Sequence, residues 1–166
     1  MSALPEIWLT GPVPEVPALL QPAAHALLQV QRELKEILVD FPEQKLWEKP
    51  KGMASAGFHL QHLRGVLDRL FTYARSEVLT ETQLLFLKNE GVENSAITTE
   101  KLLQQFDLQI EKSIIQLKNT KSETLTEVRF VGRKQIPSTH IGLIFHAAEH
   151  STRHLGQLLV TANFLK

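Results

Sequence analysis

The sequence predicts an all-α fold: a four-helix bundle with a long crossover between helices 2 and 3 and an irregular N-terminal arm. Three observations carry that expectation. Four stretches repeat apolar residues at helical spacing. The segment between the second and third of them is long for a connection between antiparallel neighbours. Four of the eight prolines fall within the first 17 residues, which reads as an irregular arm. At 166 residues the chain fits one domain, 1–166, with the arm at 1–17 and enough apolar sequence for a core.

Taken in order, the arm offers Trp8 as a candidate anchor. From Ala18 to Phe41 the residues Leu20, Leu27, Leu34, Leu38 and Phe41 recur at helical spacing, and Pro42 stops the run. "PEQKLWEKPKGM" is a loop. The period resumes in "SAGFHLQHLRGVLDRLFTYARSE", with Ser55 as N-cap and Leu60, Leu63, Leu67, Leu70 and Phe71 as the apolar face. The crossover runs through "GVENSAI" and holds a short helical turn at "TETQLLFLKNE". A capping-box pattern at Thr98 or Thr99 opens the third helix, "TTEKLLQQFDLQIEKSIIQLKN". "ETLTEVRFVGRKQIPS" alternates and contains Gly and Pro, so it is a loop or a short extended excursion. The fourth helix starts near Ser138 and runs almost to Lys166.

Composition narrows the function. Eighteen basic residues balance 18 acidic ones, which gives no general attraction for nucleic acid or a membrane surface, and neither is expected as a partner. No apolar run approaches the roughly 20 residues that span a bilayer. The N-terminus lacks the basic start and apolar core of a signal peptide, so the expected location is the cytoplasm. With no cysteine, thiolate metal sites and Cys nucleophiles are excluded, and any metal must be held by imidazole, carboxylate and water.

Three of the seven histidines stand four residues apart in "IFHAAEHSTRHLGQLL": His146, His150 and His154. Residues at that spacing turn only about 40° from one another and rise about 6 Å, so neighbouring imidazoles project side by side. A helical projection places His154 beside the apolar face, His150 one step out and His146 near the polar side with Arg153. One reading is a metal-gripping pair; the other is a pair of partly buried side chains. HExxH is absent. An open metal site needs a third ligand, and "GFHLQHL" offers His59 and His62. Projection makes His59 the more inward of the two, with a core histidine bonded to a carbonyl as its alternative. His25 and His140 lack partners at useful spacing and read as surface or cap residues. Arg64 and Asp68 read as an i, i+4 ion pair. Arg129 and Arg133 in "RFVGRK" belong either to a solvated loop or to an anion-binding lip over a metal pocket.

"SAGFHLQHLRGVLDRL" followed by "HAAEHSTRHLGQLL" resembles the DinB-like family over nearly the whole chain. The most specific part is H-x-x-x-H-x-G-Q, here His150, His154, Gly156 and Gln157. The second part is a histidine ahead of G-V-x-D-R, here His62 before Gly65, Val66, Asp68 and Arg69. The resemblance implies a four-helix bundle, often dimeric, holding a divalent metal, commonly nickel or zinc, through His62, His150 and His154. It overrides the projection's preference for His59 and leaves His59 and His146 as second-shell or alternative ligands. It further implies a thiol-dependent transferase or a hydrolase acting on small molecules, with a low-molecular-weight thiol as cosubstrate. The alternative is a non-enzymatic, metal-stabilised binding or stress-associated bundle. No further acid, base or nucleophile stands out, and the catalytic residues are left unassigned.

Overall fold

The computed structural model describes residues 4–166. It is an all-α bundle of four long helices, with one short helix in the crossover and one small hairpin. The long helices are α1 (Gln21–Ile37), α2 (Ala56–Ala74), α4 (Thr99–Lys118) and α5 (His140–Leu165). The short helix α3 (Glu81–Lys88) lies in the crossover, and strands β1 (Val128–Val131) and β2 (Ile136–Thr139) precede α5. Both α1 and α2 pack on α4 and on α5, which puts α1 and α2 at opposite corners. Leu27 and Leu34, Leu60, Leu63 and Leu67, Phe106 and Ile110, and Ile144 and Leu158 fill the space between the four, all essentially without solvent contact. This is the apolar stripe of each amphipathic helix turned inward.

Local chemistry sets the boundaries. After a short 3-10 turn at Ala18–Leu20, α1 begins with a proline in its first turn, where a missing N–H costs nothing. It stops at Ile37 rather than Phe41, because Asp40 takes a left-handed conformation (φ 55°) and Pro42 disfavours helix just before it. Leu38 and Phe41 are buried all the same. Ser55 caps α2 as expected, its hydroxyl accepting the Phe58 N–H at 3.1 Å. The capping box falls elsewhere than expected. Thr98 caps α4 through the Lys101 N–H, and a lysine there cannot bond back, whereas Thr80 and Gln83 form the reciprocal pair at α3.

The "RFVGRK" stretch is an antiparallel hairpin, with Val128 opposite Thr139 and Val131 opposite Ile136. Gly132 at φ 66° supplies the turn. The hairpin leads straight into α5, where Thr139 accepts the Gly142 N–H at 3.0 Å. The arm lies along α1, held by a column of α1 side chains. Gln21 bonds Val13 and Val16, His25 meets the Gly11 carbonyl, Gln29 accepts from the Ile7 N–H and Arg32 donates to the Pro5 carbonyl. Trp8 does not anchor it; its ring is 61% exposed and its indole N–H goes to Glu6. No helix of the described residues is long and apolar enough to cross a membrane.

Candidate metal centre

Helices α2 and α5 run antiparallel, which brings "HLQH" on one opposite "HSTRH" on the other: His59 faces His154, and His62 faces His150. The Nε2 atoms of His62 and His150 are 2.9 Å apart. Ring centroids are 4.4 Å apart for His62 and His154 and 4.6 Å for His150 and His154. One nitrogen from each of the three lies within 4.8 Å of the other two, and the rings are partly exposed. Two donors about 2.0–2.1 Å from one ion, at angles between octahedral and tetrahedral, stand about 2.8–3.4 Å apart, and the 2.9 Å between His62 and His150 falls within that range.

His62 is braced from behind. Its Nδ1 meets Glu90 Oε2 at 2.7 Å, and Glu90 is itself paired with Arg69 while only 4% of its side chain is exposed. A carboxylate accepting the Nδ1 proton leaves the Nε2 lone pair facing the other histidines, the tautomer a metal ligand needs. Phe58 stacks on the opposite side of the His62 ring at 5.3 Å and 13°. Gly65 makes the brace possible, since a Cβ there would run into the Glu90 carboxylate, Arg69 and the Phe86 ring. Glu90 comes from the crossover just beyond α3, far from His62 in sequence and outside any apolar period. Pattern reading therefore passed over it, and Arg69 figured only as part of a string.

Burial and crowding act against protonation of His59, His150 and His154. Burial, and then the neighbouring His62, lower the His59 pKa to about 4. For His154 burial, followed by His62, His150, His59 and Arg153, lowers it to about 3. His150 is lowered by burial first and by His62 next. Imidazoles that resist protonation keep their lone pairs available, and a metal-bound imidazole must be neutral. One atom stays unpaired: His150 Nδ1 is buried with no partner among the described residues.

The remaining expected residues sort clearly. His59 is buried, and its Nδ1 touches His154 Nδ1 at 3.1 Å, so it meets one of the three rather than joining them. His146 is exposed and bonds Glu149 at 2.7 Å. With Glu149 and His150 it forms a second convergent group, but Glu149 is already held by Arg153 at 2.7 Å. Arg129 and Arg133 form no lip over the histidines. Arg129 donates to the Ala74 carbonyl, twelve residues or about 18 Å along α2 from His62. Arg133 lines a separate hollow with Tyr73 and Phe130. His140, expected at the surface, is 6% exposed and sits against Thr124 and Arg129. Arg64 lies over the Phe86 ring at 4.3 Å instead of pairing with Asp68, which ties α3 to α2.

The family model of the DinB superfamily matches residues 26–158, a span that contains all three convergent histidines. No curated protein matches the chain.

Proposed function

Because the chain belongs to the DinB superfamily, we propose that it is a metal-dependent protein in which His62, His150 and His154 hold a divalent ion and act on small molecules. One observation carries this reading: the imidazoles of His62, His150 and His154 converge from two helices, and among the described residues that convergent set has no fourth member. Three protein donors without a fourth are the donor set of an open rather than a closed zinc site, and all-imidazole donors suit zinc and nickel. When bound, such an ion polarises an oxygen or lowers the pKa of a coordinated water or thiol.

The chain supplies orientation around it. Glu90 fixes the His62 tautomer, Phe58 fixes its plane, and His59 holds His154 from the far side. The reaction this favours is transfer from a low-molecular-weight thiol to a small electrophile, or else hydrolysis, in a cytoplasmic homodimer. With no fourth ligand among the described residues to close the site, a purely structural ion is the weaker reading.

Calorimetric titration of chelator-stripped protein with zinc and nickel tests the site. Wild type should bind one ion per chain, His154→Ala should lose it, and His146→Ala should keep it. Full retention by His154→Ala sinks the assignment. Metal-loaded protein then goes into a screen of thiols against alkyl halides and epoxides.

A further inference from the structure

Gly156 sits in the middle of α5 with no evident reason to be glycine. A mid-helix glycine costs about 1 kcal/mol relative to alanine. Its backbone is not left-handed, and nothing lies within 4 Å of where a Cβ would stand. The space above it is a hollow of about 540 Å³ between the Met53–Ala54 segment and α5. One face of α5 lines it through Arg153, Gln157 and Thr161, at i, i+4 and i+8, with Val160 alongside. That column spans about 12 Å along the helix.

Hydrogen-bond accounting points the same way. Thr161 is 3% exposed, and its hydroxyl, which bonds no described residue, keeps contact with solvent. Ser151 and Thr152 on the same helix bond back to the carbonyls of Ala147 and Ala148, as helical hydroxyls ordinarily do. The exposed Gln157 amide likewise bonds no described residue, and the exposed Arg153 commits only Nη2 to Glu149. Opposite these donors stand the apolar Met53 and Ala54. Apolar walls with a few placed polar groups are the makeup of a small-molecule site.

We propose that this hollow binds an elongated apolar molecule bearing a carboxylate. Its chain lies over Gly156 against Met53, Ala54 and Val160, and its carboxylate takes the free Arg153 nitrogens and the Gln157 amide. Exposed ion pairs such as Arg153–Glu149 are weak, so Arg153 can turn to a ligand at little cost. Binding here does not need the metal. Its relation to chemistry rests on the metal reading, since His59 lines the hollow and touches His154, setting the occupant one imidazole away.

The chain has two methionines, Met1 and Met53, and selective ¹³C-methyl labelling makes Met53 a reporter in the hollow. Octanoate is the probe, titrated with and without zinc. The Met53 signal, assigned by Met53→Leu, should shift saturably in both conditions. Octanamide should bind at least tenfold more weakly, and so should octanoate to Arg153→Gln. Gly156→Leu, a favourable helix substitution, should abolish the shift while leaving the zinc titration unchanged. A stationary Met53 signal, an equal response to octanamide, or an undiminished response in Gly156→Leu would overturn the proposal. Zinc failing to bind while octanoate still shifts Met53 would sink the metal reading alone.

Discussion

At Glu90 a single carboxylate serves two nitrogens, accepting from His62 Nδ1 at 2.7 Å and from Arg69. Glu90→Gln keeps the shape and removes the charge. It should weaken zinc binding by about 10–100-fold, the usual effect of losing a partner behind a metal-bound histidine, while the fold persists. Titration calorimetry reads this directly, and unchanged affinity would mean His62 is oriented by packing on Phe58 instead. Gly65→Ala attacks the same contact from below. Its methyl group must displace Glu90, Arg69 and Phe86, so it should cost about 1–3 kcal/mol of stability by overpacking. It should weaken zinc as well, a coupling that chemical denaturation and calorimetry on one variant would expose. His62, His150 and His154 could be named from sequence because spacing and a family string marked them. Glu90 could not, because nothing local distinguishes a glutamate that meets its histidine only after the crossover folds over α2.

At the scale of elements, legibility followed the amphipathic period. On α1 and α2 the residues that apolar spacing marks are buried, from Leu27 and Leu34 to Leu60, Leu63 and Leu67. On α5 the projected face is only partly right: Ile144, Ala148 and Leu155 are buried, but Leu159 is 42% exposed and Leu158 takes the inward place. The hairpin was visible only as an irregularity, since strands of four residues are too short for alternation to separate from noise. The helical turn in "TETQLLFLKNE" is legible, but its capping box at Thr80–Gln83 is not, because α3 is only eight residues long and buries none of them. The arm was legible as irregular but not as docked. Its attachment depends on Gln21, His25, Gln29 and Arg32, polar side chains whose i+4, i+4, i+3 spacing reads as a solvated face. Gln21→Ala with Gln29→Ala removes four of those bonds to arm backbone. At about 1 kcal/mol each, their loss should free the arm to limited proteolysis near Gly11 while the bundle resists. Equal resistance in wild type and variant would show that buried Val16 alone holds the arm.

Two properties belong to the whole molecule. Leu4, Trp8 and Leu9 on the arm and Phe145 on α5 are each at least 58% exposed, apolar surface that motivates the proposed homodimer. Sedimentation at tens of micromolar should find it, and a monomer would count against it. The second property is acid sensitivity, which follows from the histidines even without metal. In the unfolded chain each has a pKa near 6.5, whereas burial and mutual repulsion place His59 at about 4 and His154 at about 3 in the fold. Above pH 6.5 both states are neutral at these residues, and they contribute no pH dependence. Below it the unfolded chain takes up protons that the folded one refuses, so stability falls as pH drops from about 6.5 toward 4. His150 and His140, lowered chiefly by burial, act in the same direction. Metal steepens the decline, because its ligands must be neutral and acidification releases it. Denaturant midpoints for chelated wild type should therefore drop between pH 7 and pH 5, a window mostly above carboxylate titration. The double variant His59→Gln, His154→Gln should show a shallower drop. A wild-type midpoint that is flat across that window would mean that His59, His150 and His154 take up protons in the folded state as readily as in the unfolded one, and that burial does not hold their pKa values down.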